Sequence, residues 1–149
     1  MVLSTLLGRK LKDDEVLRIL RDYHVDEVIY DFDRHHESTE DVYWAAARQA
    51  GFQLRFNQDQ ILDTIFCYFI ANEGFSPVST RIVGAPIYTT FDEAEVSCRR
   101  ISQSYSVSDS RDGPKFHKLW LCAETSERRT HYQFKDGALI LVTLMLPKT

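Results

Sequence analysis

Histidines, cysteines and clustered carboxylates are where this 149-residue chain could do chemistry. The five histidines are His24, His35, His36, His117 and His131. No His–Glu–x–x–His helix occurs, so zinc hydrolysis of that type is excluded. Asp31, Asp33, His35 and His36 could gather round a cation. An adjacent His pair in a polar acidic stretch has no fixed ligand geometry, and the expectation is a solvated loop without metal. A dispersed hydrolase built from Asp31, His35 and Glu37 is the alternative kept open. Cys67 lies in Ile65-Phe66-Cys67-Tyr68-Phe69, an apolar strand that would raise its thiol pKa and leave it inert. His117 and Cys122 are five residues apart on one expected strand and so point to opposite faces. Walker A, G-x-G-x-x-G and G-x-S-x-G motifs are all missing, and six glycines leave little for phosphate-cradling loops. No catalytic residue, cofactor or disulfide is expected, and the protein reads as no enzyme.

Charge gives a clearer signal. The net charge is −4. Between residues 22 and 41 lie eight acids: Asp22, Asp26, Glu27, Asp31, Asp33, Glu37, Glu40 and Asp41. The single base there is Arg34. Such a segment repels nucleic acid and attracts a basic protein surface, unless it is merely a solvated loop. The basic pairs Arg99-Arg100 and Arg128-Arg129 form no larger stripe, so a nucleic-acid partner is not expected. Aromatic anchors stand beside the acids. The candidate partner-binding residues are therefore Asp26, Tyr30, Asp31, Asp33, Glu37, Glu40, Tyr43 and Trp44.

The elements that must position these groups follow from pattern. The length suits one domain, residues 1–149. Three widely spaced cysteines, Cys67, Cys98 and Cys122, read as reduced core residues. With no basic segment ahead of the mildly apolar start, no signal peptide is expected, and a cytoplasmic home follows. No run approaches the roughly 20 apolar residues of a membrane span.

Asp13 should cap a first helix carrying Val16, Leu17 and Leu20 and ending near Tyr23. Residues 28–32 form a short strand and residues 33–41 a loop. Residues 42–50 are ambiguous, with a lean to strand over 43–48. Phe52, Leu54 and Phe56 alternate with polar residues, and a turn at 57–60 leads into a strand over 61–70. A second helix should start at Asp92, with Glu95 at capping-box spacing and Phe91 and Val96 as a hydrophobic staple. Residues 102–114 read as loop, and strands follow over 116–123, 129–135 and 138–146. Asp136-Gly137 is a type I′ hairpin turn. Its register would pair Phe134 with Leu139, Tyr132 with Leu141 and His131 with Val142. His131 and Gln133 would then share a face with Ile140, Val142 and Leu144.

The halves look alike. Asp14-Glu15-Val16 in the first parallels Ala94-Glu95-Val96 in the second. Leu54-Arg55-Phe56, a turn and Ile61 parallel Tyr132-Gln133-Phe134, a turn and Leu139, at a nearly equal offset along the chain. Two tandem helix-plus-meander repeats, over 1–71 and 80–149, are expected. A tandem of this kind resembles the β-lactamase-inhibitor protein fold, and a single unit resembles the outer-membrane assembly lipoproteins of the BamE type. The chain is also similar in general look to small bacterial immunity proteins. It lacks the lipoproteins' lipidated cysteine and any counterpart of the secreted inhibitor's disulfides. The resemblance implies an α+β protein with a curved, mainly antiparallel sheet and two helices, gripping a partner protein. The expected function is an inhibitor or immunity protein that covers the active site of a toxin or effector domain with a basic surface. A non-catalytic scaffold or dimeric subunit is the other alternative. Neither nucleic acid nor membrane is an expected partner.

Overall fold

The computed structural model describes residues 2–32, 40–108 and 118–148. Its centre is an eight-stranded antiparallel sheet. The first half runs through a 3-10 turn (Leu3–Leu6) and helix α1 (Asp14–Asp22). Four strands follow: β1 (Ile29–Asp31), β2 (Val42–Ala47), β3 (Phe52–Phe56) and β4 (Leu62–Tyr68). The second half has a one-turn helix α2 (Thr80–Val83) and helix α3 (Phe91–Arg100). Its strands are β5 (Ser104–Val107), β6 (Lys118–Glu124), β7 (Arg129–Lys135) and β8 (Ala138–Met145). Strand order is β1-β2-β3-β4-β8-β7-β6-β5. Each meander lies in chain order from its edge, and the two meet where β4 pairs with β8. The α+β, mainly antiparallel expectation is met.

Helix α1 starts where the sequence places it. The Asp13 carboxylate accepts the Glu15 N–H at 2.9 Å, satisfying one of the free donors of the first turn. Val16, Ile19 and Leu20 then fall on one stripe and are buried. Helix α3 begins earlier than expected. Its cap is Thr90, whose hydroxyl accepts the Glu93 N–H at 3.1 Å, while the Glu93 carboxylate accepts from the backbone and hydroxyl of Thr89. These bonds to Thr89 hold the Glu93 carboxyl below the usual carboxylate range. The expected box on Asp92 and Glu95 thus gives way to one on Thr90 and Glu93. Val96 is exposed and forms no staple; the buried positions of α3 are Phe91, Ala94, Glu95 and Cys98.

The Asp136-Gly137 turn is present, with φ of 51° and 84° as a type I′ turn demands. The register beyond it differs from simple counting. Phe134 pairs with Leu139, but Gln133 pairs with Leu141, so Ile140 is an extra residue in a β-bulge. His131 therefore faces Thr143 and Tyr132 faces Val142. His131 does not share a face with Val142 and Leu144, as even counting had implied. The first half carries a matching irregularity. Phe56 pairs with Leu62 while Arg55 pairs with Thr64, leaving Asp63 as the extra residue.

Among the described residues, all helices cover one face of the sheet. Val16, Ile19 and Leu20 of α1, Val83 of α2 and Phe91, Ala94 and Cys98 of α3 join one core cluster with the inward strand residues. Phe52, Leu54, Phe56, Ile65, Tyr132, Phe134, Val142 and Leu144 are its centre. Tyr132 keeps its hydroxyl satisfied by donating to the Pro86 carbonyl at 2.7 Å. All three cysteines are free and buried. Desolvation pushes the Cys67 thiol up to about 12.

Candidate functional site

Residues directly opposite in an antiparallel pair share a face. Following the register across all eight strands gives the row Ile29, Trp44, Arg55, Thr64, Met145, Arg129, Glu124 and Ser104 on the face away from the helices. The next row is Ala46, Gln53, Phe66, Thr143, His131, Cys122 and Ser106. Behind it come Tyr68, Leu141, Gln133 and Trp120. Among the described residues, no helix or strand packs on these rows.

The face is aromatic and internally braced. The Trp44 ring stacks on Phe66 at 6.1 Å between centroids, and Trp120 stacks on His131 at 5.3 Å. Tyr68 stacks on Phe75 at 4.4 Å, and the Arg48 guanidinium lies 4.8 Å over that second ring. Arg48 also donates to the Glu73 carbonyl, which pins the 72–75 turn against this end of the face. At the opposite end, Arg55 donates to Asp63 at 2.6 Å and lies 3.8 Å from Glu40. Asp63 reaches Arg55 because the bulge releases it from the regular alternation. A cavity of about 440 Å³ opens beside Trp44 and Ile29, with Asp26, Glu27, Arg48 and Gln53 in its walls.

One cysteine–histidine pair on this face was missed by sequence counting. Cys122 and His131 are register partners across β6 and β7. Burial pushes the Cys122 thiol up and the His131 imidazole down, and no hydrogen bond joins them. Both shifts favour the neutral forms, opposite to the thiolate–imidazolium pair that nucleophilic catalysis uses. Finding this pair from sequence required the Thr125–Arg128 turn, where the Thr125 hydroxyl accepts from the backbone of Glu127 and Arg128. His117, the partner considered from sequence, lies outside the described residues. Among the described residues, no group of three His, Cys, Asp or Glu is placed to hold a metal ion.

The lowered His131 pKa has a stability consequence with a definite sign. The unfolded chain takes up this proton near pH 6.5, whereas the folded protein resists it to lower pH. The contribution is present above about pH 6.5 and is lost as pH falls towards the folded-state value. His131→Gln is expected to flatten the fall in Tm between about pH 6.5 and 5. Thermal melts of both proteins across that range check it, and parallel curves would count against burial of the imidazole.

The sequence-chosen binding residues separate into two groups. Tyr30 donates to the Asp41 carboxylate at 2.6 Å and stacks on Tyr43 at 4.8 Å. That carboxylate pushes the Tyr30 phenol up to about 12. Tyr43 packs against the core on the helix side, whereas its neighbour Trp44 is on the open face. Asp26 is exposed ahead of β1, Asp31 is exposed at its end, and Glu40 is exposed near Arg55. Asp33, Glu37 and His35 lie outside the described residues. Phe66, Trp120, Leu141 and Met145 were not singled out, because only the register places them on the same face as Trp44. No protein-family model, curated protein or solved structure matches this chain. No helix among the described residues is long and apolar enough to cross a membrane.

Proposed function

We propose that this chain is a cytoplasmic binding protein of the inhibitor or immunity type, which covers the active site of a toxin or effector domain with a basic surface. One observation carries the reading: Trp44, Phe66, Leu141, Met145 and Trp120 line a sheet face that no described helix or strand covers. Aromatic and Met side chains are enriched where protein partners meet, and tryptophan above all supplies the hot spots. Asp26, Asp31 and Glu40 flank one end of that face and supply attraction for a basic partner.

On the same reading the halves are tandem repeats resembling the β-lactamase-inhibitor architecture, and the sheet is curved for grip. Support comes from the matched bulges, at Arg55/Phe56 and at Gln133/Phe134, which fall at equivalent points of the two hairpins. Trp44 opposite Arg55 and Trp120 opposite Gln133 are likewise matched.

The test is capture of the partner from the native cell, its identification, and titration of its activity with this chain. Stoichiometric loss of activity is expected. A partner that binds with its activity intact would remove the inhibitor reading. With that partner in hand, joint replacement Asp31→Asn, Asp33→Asn and Glu37→Gln is expected to slow association about tenfold at low salt and to flatten its salt dependence. Surface-coupled kinetics at two salt concentrations measure this. Identical association rates would take the acidic segment out of the interface.

A further inference from the structure

Among the described residues the sheet has two free edges, β1 and β5, and they are not alike. An edge strand presents unpaired N–H and C=O groups that can template another strand, and proteins usually blunt it with charge, bulges or cover. On β5, Ser104 and Ser106 are the exposed residues. Its Tyr105 is half-buried, and the hydroxyl accepts from Arg99 at 3.0 Å and reaches Glu95 at 3.3 Å. On β1 every residue is exposed, and the apolar ones are large: Ile29 at 53% and Tyr30 at 46%, preceded by Val28 at 37%. Among the described residues, nothing blunts this edge within its apolar stretch. Acids sit on either side of it, Asp26 and Glu27 before and Asp31 at its end. The 440 Å³ cavity opens at this edge, walled by Ile29 and Trp44 and carrying Asp26 and Glu27.

We infer that the free edge of β1 accepts an extended basic segment of the partner protein as a ninth strand. This rests on the reading that the chain binds a basic protein. Backbone pairing would hold the segment, apolar side chains would cover Ile29 and Tyr30, and a Lys or Arg would enter the cavity. There the indole face of Trp44 and the two carboxylates are suited to a cation. Arg48 in the cavity wall is already tied to Phe75 and Glu73. Charge decides against a second copy as the occupant, since β1 on β1 would set Asp26, Glu27 and Asp31 against their own like.

The test uses a capped hexapeptide of alternating Lys and Val, with a Glu–Val control and a Lys–Val version N-methylated at alternate residues. Amide hydrogen exchange of the isotope-labelled full chain is read by NMR. The Lys–Val peptide is expected to slow exchange at residues 29–31 at least tenfold and to leave β5 unchanged. The Glu–Val and N-methylated peptides should do neither. Ile29→Lys should abolish the effect, and its unchanged Tm shows that it folds; Asp26→Asn with Glu27→Gln should weaken it at least threefold. Protection by the N-methylated peptide, protection at β5 alone, no protection at all, or self-association through β1 would each overturn strand addition. Should the captured partner still be inhibited while β1 takes no peptide, strand addition falls and the inhibitor reading stands. Should β1 take the peptide while the captured partner keeps its activity, the inhibitor reading falls instead.

Discussion

Gly51→Ala is expected to destabilise the protein by about 3 kcal/mol or more, which is a large part of a typical domain's margin. Gly51 closes the turn between β2 and β3 at a φ of 82°. A side chain there incurs left-handed strain of about 1–2 kcal/mol. It also meets backbone. A Cβ would come within 3.0 Å of the Ser76 carbonyl oxygen, the Pro77 carbonyl carbon and the Val78 nitrogen. That segment is fixed from both sides, by Ser76 N–H donating to Arg48 and Val78 N–H donating to Tyr68. Neither partner can move without breaking a bond, so overpacking adds roughly 1–3 kcal/mol. Gly137→Val supplies the comparison. Its φ is 84°, but nothing lies within 4 Å of a Cβ. Only backbone strain applies there, about 1–2 kcal/mol. Denaturant melts of the two variants check the order. Equal losses would mean that the 76–78 segment yields.

The two glycines also show what the sequence could reveal. Gly137 announced itself, because Asp-Gly between two β-rich runs is a local signal whose geometry needs no tertiary context. Gly51 carries no comparable local signal. Its importance comes from Ser76, Pro77 and Val78, on the far side of β3 and β4 in the chain, and nothing local points to them. The same division runs through the fold. The Asp13 cap and the Phe52, Leu54, Phe56 alternation were legible because each is a short-range pattern; of the expected helix stripe Val16 and Leu20 are buried, while Leu17 is exposed and Ile19 takes its place. The lean to strand over 43–48 is met by β2 (Val42–Ala47), where three alanines with helix propensity are held in the sheet by pairing with Phe52, Gln53 and Leu54. Strand β5 was missed. Ser104-Tyr105-Ser106-Val107 alternates properly, but its polar flanks read as loop, and its pairing with β6 decides it. The His131 face was misassigned for one reason. A bulge adds one residue, and one residue in a strand of period two exchanges the faces. The open face could therefore not be drawn from the sequence, since it depends on two bulges and on which strands meet in the middle.

Opposite faces of β6 and β7 give the second large effect. Phe134→Ala is expected to cost about 3–5 kcal/mol, the usual range for a fully buried ring. Phe134 is 1% exposed and meets Phe91 of α3 edge-to-face at 6.0 Å. Removing it would leave a cavity between helix and sheet that the surrounding backbone cannot close. Trp120 has a larger ring, and it sits one step along β6 from Leu119, the partner of Phe134, so that it is opposite Gln133 instead. It is half-buried and lies on the open face, stacked on His131. Trp120→Ala should lose that stack and part of its buried area, about 1 kcal/mol. Size alone would rank the tryptophan as the costlier loss; the face each side chain occupies reverses the order. Affinity for the captured partner should respond the other way. Trp120→Ala should weaken binding about thirtyfold if the ring is a hot spot, with Tm nearly unchanged. Phe134→Ala should lower Tm steeply, while whatever fraction remains folded binds normally. Denaturant titration and partner binding on the two variants separate these outcomes. A Trp120→Ala protein that is as unstable as Phe134→Ala would mean that this face is packed rather than open. One that is stable and binds normally would move the interface off β6 and β7, towards Trp44 and the β1 edge.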